Sequence, residues 1–187
     1  VLIDLVTTLA RLLTRHGNRV GAILYGSRVE RTIPARGGRI QVLRLANDLL
    51  KQTPLARAPF TDLTPLLVAG LHSIKKRSLV FIISDFISAP GWERFLSLLN
   101  QRHEVVAIRV WDPREMELPD VGLLAVVDPE TGRRREVWTG EAALRTRYAE
   151  AAATHRLEVR TALRRAGAEH VVLRTDRDWV RDLARYA

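Results

Sequence analysis

Apolar residues recur at helical spacing through Leu2, Leu5, Val6, Leu9, Leu12 and Leu13, and Gly17 follows as a stop, so the chain opens on an amphipathic helix. From Arg19 to Tyr25 both faces become apolar, which predicts an interior strand. After a turn at Gly26-Ser27, Val29 to Ile33 alternates and predicts an edge strand closed by Pro34. The helical spacing returns with Val42, Leu43, Leu45, Ala46, Leu49 and Leu50 on the apolar side. A proline-bearing loop from Gln52 to Phe60 leads to Thr61-Asp62-Leu63-Thr64-Pro65, a helix start with Thr61 or Asp62 as cap and Lys75-Lys76-Arg77 at the negative end.

The stretch from Ser78 to Phe86 is the pivot of the pattern. Leu79, Val80, Phe81, Ile82 and Ile83 run without interruption into Ser84-Asp85, as in a strand buried on both faces that ends on a carboxylate. A helix through Trp92, Phe95, Leu96, Leu98 and Leu99 and a third interior strand from Glu104 to Val110 complete a strand-helix-strand unit, and Asp112 follows at the end of the third strand. Val121 to Val127 and Arg133 to Trp138 form a hairpin around Asp128-Pro129-Glu130-Thr131-Gly132. A long helix from about Glu141 to Ala166, stopped by Gly167, a short strand from Glu169 to Leu173 and a terminal helix after Thr175-Asp176-Arg177-Asp178 close the chain. Strands alternating with helices predict a single α/β domain over residues 1–187, a doubly wound, mostly parallel sheet with an antiparallel edge hairpin. In such sheets ligands bind beyond the carboxyl ends of the strands, where Asp85 sits.

Composition narrows the chemistry. There is no cysteine, which removes disulfides, thiolate metal sites and a cysteine nucleophile and fits a cytoplasmic, reducing compartment. The longest uncharged stretch, Leu63 to Ile74, is about a dozen residues against the roughly 20 that a membrane helix needs. Val1-Leu2-Ile3 runs at once into Asp4 without a basic leader, so no signal peptide is expected at this start. Thirty Lys and Arg against 21 acidic residues give a net charge of +9, nearly all of the excess being arginine. The arginines are spread along the chain and do not alternate with aromatic residues, which points to solvated helix faces. A second reading is a basic nucleic-acid-binding module that uses the arginine-rich helix 141–166.

The five histidines lie in five different elements without ligand spacing, and no nucleophile elbow, dinucleotide fingerprint or phosphate loop occurs. Ser84 has no histidine base assigned by the sequence, so no enzyme is expected. Arg36-Gly37-Gly38-Arg39 before a helix can hold an anion weakly on free amides and two guanidinium groups, and it is also an ordinary turn. What remains is oxygen chemistry: the hydroxyl of Thr61 and the carboxylate of Asp85, with Asp62, Ser84 and Asp112 around the same rim. Hard divalent ions such as magnesium take ligands of this kind.

The series Gly17-Asn18-Arg19-Val20-Gly21 to Tyr25-Gly26, Ile33-Pro34-Ala35-Arg36-Gly37-Gly38, Thr61-Asp62-Leu63 and Phe81-Ile82-Ile83-Ser84-Asp85-Phe86 resembles bacterial proteins of the domain-of-unknown-function family fifty-eight, which are similar to the von Willebrand factor A domain. The likeness is strong from about Gly17 to Asp112 and general beyond. It implies a Rossmann-like sheet with a metal-ion-dependent adhesion site, in which Thr61 and Asp85 match two of the ligands. An Asp-x-Ser-x-Ser loop after the first strand would supply the rest, and both that strand and that loop are missing from these residues. The resemblance therefore implies an N-terminally truncated domain in which Mg2+ or another divalent cation binds poorly, although the complete protein would hold it. It also implies an open slot between Arg19–Tyr25 and Leu79–Ser84, to be filled by residues of a longer protein, by a neighbouring chain, or by direct closure of the two strands; the first is favoured. The function implied is non-enzymatic: a protein-binding domain that works with a MoxR-type AAA ATPase in the maturation of other proteins.

Overall fold

The computed structural model describes residues 2–52, 61–127 and 133–184. Most of the proline-bearing loop and all of the Asp128–Gly132 turn expected from the sequence lie outside the described residues. The first helix, α1 (Leu2–Arg15), ends as its glycine foretells: Gly17 adopts φ +79°, and the Asn18 N–H donates to the Leu13 carbonyl at 3.1 Å. The strands β1 (Val20–Tyr25) and β2 (Val29–Arg36) pair antiparallel and lead into α2 (Arg39–Leu50). Then come α3 (Thr64–Ser73), β3 (Leu79–Ser84), α4 (Trp92–Arg102) and β4 (Glu104–Trp111). A second antiparallel hairpin, β5 (Leu123–Val127) with β6 (Arg134–Trp138), precedes the long α5 (Ala142–Arg165), then β7 (Glu169–Arg174) and α6 (Trp179–Ala184).

The architecture is mixed α/β, with a parallel sheet in the order β3-β4-β7 covered by helices on both faces. On one face Leu5 and Leu9 of α1, with Trp179 and Leu183 of α6, pack against Val106, Ile108, Val171 and Leu173. On the other, Leu67, Leu96, Leu99, Val159 and Leu163 from α3, α4 and α5 cover Ile82, Val105 and Ala107. The same α1 reaches across to the first hairpin, where Ala10, Ile3 and Val6 join Leu24, Ile33, Leu45 and Leu49. One helix thus ties two separate sheets together.

Several expectations are corrected. The first hairpin is not an edge of the parallel sheet but a two-stranded sheet of its own, and β1 is not interior. Among the described residues β1 pairs only with β2 and β3 only with β4, so one side of each stays free of strand pairing. For that reason β3 is half-buried, with only Ile82 buried and Leu79 45% exposed, and β4 is the fully covered centre. Pro34 does not close β2; the strand runs on to Arg36, because an edge strand with a register irregularity loses little when one N–H is missing. On α2, Leu43 and Leu50 face outward at 58% and 69% exposure, while Gln41 and Asp48 are buried. The Gln41 amide donates to the carbonyls of Val20 and Pro34, and Asp48 meets Arg31 at 3.1 Å, so polar anchors share the inner face with Leu45 and Leu49.

Candidate functional site

The chain leaves β3 through a tight polar turn. The Ser84 Oγ accepts from the Phe86 N–H at 3.0 Å, and Asp85 Oδ1 accepts from the Ile87 N–H at 3.0 Å. Phe86 sits at φ +61°, the only non-glycine residue with positive φ among those described. Its ring explains why: it is 1% exposed and packs 5.6 Å from the Trp92 ring at the start of α4. Core packing holds a backbone conformation that an aromatic residue adopts at a cost. With Phe86 driven inward, Asp85 remains exposed at the carboxyl rim of the sheet.

The Thr61 segment meets this turn. The Ala89 N–H donates to the Thr61 carbonyl at 2.9 Å, and the Leu63 N–H donates to the Ser88 Oγ at 3.0 Å. The N-cap of α3 is Leu63, not Thr61 or Asp62 as expected from the sequence; Asp62 stands one residue earlier, its Oδ1 accepting from the Thr64 N–H at 2.8 Å and its carbonyl from the Tyr25 hydroxyl at the end of β1. Burial and the nearby Asp62 carboxylate push the Tyr25 phenol up, so it stays a donor. The segment from Thr61 to Leu63 and the turn from Ser84 to Ala89 therefore meet at one end of the sheet.

Asp112 ends the neighbouring strand, where its Oδ1 accepts from the Arg114 N–H at 3.0 Å and caps a single 3-10 turn, Pro113–Glu115. The Arg36-Gly37-Gly38-Arg39 turn is elsewhere. Arg36 pairs with Val20, at the end of the hairpin opposite Tyr25, and both arginines of the turn are exposed. It shares nothing with the Asp85 rim.

Sequence reasoning missed the centre of this end of the sheet. Arg109 lies on β4, in register with Ser84 on one side and Val172 on the other, and is only 5% exposed. Burial pushes its guanidinium down; Glu115 and Asp85 pull it up, and Arg156 opposes them. Glu115 feels the converse. Burial and the carboxylates of Asp85 and Asp112 push it up, partly offset by Arg109. A cation inside an otherwise apolar run, Val105-Val106-Ala107-Ile108-Arg109-Val110, was the available signal.

Among the described residues no group of three or more His, Asp or Glu side chains stands where it could hold a metal ion. Thr61 and Asp85 offer two oxygen-bearing side chains, one carboxylate oxygen already takes the Ile87 N–H, and a buried guanidinium lies within electrostatic reach. That donor set does not complete a hard-cation site.

The family model for proteins of unknown function DUF58 matches residues 1–158. The chain belongs to the DUF58 family. Relatives include an uncharacterised protein of Mycobacterium avium, 43% identical over 157 residues, which are 82% of this chain and 90% of that protein. Uncharacterised proteins of Mycobacterium bovis and Mycobacterium tuberculosis are 38% identical over 170 residues, 91% of this chain but 53% of theirs. The DUF58 chain thus spans about half the length of these two relatives. In fold it is similar to the crystal structure of an aerotolerance-related membrane protein from Bacteroides fragilis, with a TM-score of 0.56 at 14% identity over 97% of this chain and 85% of that one. No helix among the described residues is long and apolar enough to cross a membrane.

Proposed function

We propose that this DUF58 chain is a von Willebrand factor A-like protein-binding domain that works without catalysis, docking a partner on the rim carrying Thr61 and Asp85. The observation that supports it most is the pair of hydrogen bonds joining the 61–63 segment to the 88–89 turn, Ala89 to Thr61 and Leu63 to Ser88. They fix two loops from separate parts of the chain beside an exposed carboxylate, as a recognition surface on rigid elements requires. By family resemblance the partner is a MoxR-type AAA ATPase and the role is maturation of other proteins. Thr61 and Asp85 would supply at most two of the oxygen ligands of a divalent cation here, and further ligands from outside these residues would be needed for such an ion to accept a carboxylate from the partner. With the residues of this chain alone, magnesium binds weakly.

The nucleic-acid reading draws less support. Arg145 of α5 is engaged by the Thr139 carbonyl and by Asp120 at 3.1 Å, and Arg156 lies over the Trp111 ring, so part of the helix's positive charge faces inward. Co-purification of the full-length protein with its MoxR-type ATPase is the test. The interaction is expected to disappear with Asp85→Ala while the fold is kept. Retention of the ATPase by that variant, together with strongly salt-dependent binding to arbitrary DNA or RNA, would favour α5 instead.

A further inference from the structure

Buried polar atoms need partners, and the side-chain nitrogens between the parallel sheet and α5 lack them. The Nε of Arg109, the Nε1 of Trp111, the Nε of Arg156 and the Nε2 of His170 are all buried and make no hydrogen bond among the described residues. They belong to one layer. Arg109 and Trp111 are two apart on β4 and so share a face, the one on which Val105 and Ala107 meet α5. His170 pairs with Ala107 in the adjacent strand. Arg156 comes from the helix above, its guanidinium carbon 5.6 Å from the Trp111 ring centroid, and its charge acts on Arg109. Arg109 in turn acts on His170.

The chemistry is one-sided. Arg109, Trp111 and Arg156 can only donate at these atoms, and His170 can donate in one tautomer. The sole buried side-chain oxygen without a hydrogen bond among the described residues is Oδ2 of Asp48, on α2 beside the first hairpin and near Arg44. The fixed charges nearby do not match the donors. Arg174, at 4.8 Å over the same indole, is held in a two-pronged bond by Asp176. Asp85 spends Oδ1 on the Ile87 N–H and Asp112 spends its own on the Arg114 N–H. Glu115 makes no salt bridge to Arg109 among the described residues, and burial favours its neutral form.

We infer that this layer is an oxyanion site, in which Arg109, Arg156 and the Trp111 indole N–H bind a phosphate-sized tetrahedral oxyanion. The donors come both from the sheet and from the helix packed on it, which suits a tetrahedral group with oxygens in several directions, whereas a planar carboxylate is satisfied by one guanidinium fork. The inference does not depend on the Thr61–Asp85 rim and stands or falls separately.

Calorimetric titration with inorganic phosphate at constant ionic strength, with acetate and chloride as competitors for the assignment, tests it on the full chain. The expected result is saturable phosphate binding that falls on the order of tenfold in Arg156→Met, since a hydrogen bond to a charged group is involved. Trp111→Phe, which keeps the ring but removes the donor, is expected to weaken it about fivefold, and Arg109→Met to abolish it. Arg11→Met, on the exposed side of α1, leaves it unchanged. If Arg109→Met fails to fold, the two half-buried positions still decide. Absence of saturable phosphate binding, equal affinity for acetate, or unchanged affinity in both Arg156→Met and Trp111→Phe would overturn the assignment.

Discussion

Replacing Phe86 by alanine removes the side chain that holds Asp85 at the rim. An aromatic residue buries on the order of 150–250 Å², which at about 25 cal/mol per Å² is roughly 4–6 kcal/mol of transfer energy; measured Phe to Ala changes in cores cluster near 3–5 kcal/mol. At 1% exposure and in ring contact with Trp92, Phe86 belongs at the full value. Alanine also keeps a Cβ at φ +61°, so the backbone strain remains. Glycine removes it, a relief of about 1 kcal/mol. The expected outcome is therefore an inverted order for a core site: Phe86→Ala loses about 3–5 kcal/mol, and Phe86→Gly loses no more and about 1 kcal/mol less. Urea denaturation followed by circular dichroism measures both, and amide exchange at Ile87 reports whether its bond to Asp85 loosens first. A loss below about 1 kcal/mol in the alanine variant, or a glycine variant clearly worse than alanine, would refute the idea that packing of Phe86 sets this turn.

Three further outcomes follow from particular residues. A Cβ at Gly21 would stand 2.7 Å from the Ile33 carbonyl oxygen and 2.9 Å from the Ala35 nitrogen, both backbone, so Gly21→Ala is expected to cost about 1–3 kcal/mol in the same denaturation assay. His103 and His170 are both held below the ordinary histidine value of 6.5 by burial, with Arg102 acting on the first and Arg109 and Arg160 on the second. The unfolded chain then binds more protons than the folded one below about pH 6.5, so stability is full above that pH and falls as it is lowered. Thermal melts between pH 7.5 and 5 should show the fall, and the His103→Gln/His170→Gln double variant should show less of it. Magnesium titrated into this chain should give no tight stoichiometric heat, and tight one-to-one binding would show that Thr61 and Asp85 need no further ligands.

Much of the element order was legible because it rests on local chemistry. The glycine after His16 ends α1 and the one after Ala166 ends α5 in the same way, with Gly17 and Gly167 both at positive φ. What escaped the sequence depends on partners far along the chain. The run from Leu79 to Ile83 looks as buried as the one from Val105 to Val110, yet among the described residues only β4 has a strand on each side. Leu43 and Leu50 fit a helical stripe as well as Leu45 and Leu49 do, but the true inner face also holds Gln41 and Asp48, whose partners are Val20, Pro34 and Arg31. At the rim, Asp85 could be placed by the rule for open α/β sheets and Thr61 by family likeness. The meeting of the 61–63 segment with the turn after Asp85 runs through Ser88 and Ala89, which no motif marked. Arg109 was read as part of an apolar strand because periodicity says little about one charge enclosed on both flanks.

Hydrogen-deuterium exchange of the full-length protein, with and without the MoxR-type ATPase proposed above as a partner, probes the docking rim most directly. Slowed exchange confined to residues 61–63 and 85–89, and lost with Asp85→Ala, is expected. Protection along α5 around Arg147 and Arg164, with the rim unchanged, would contradict it.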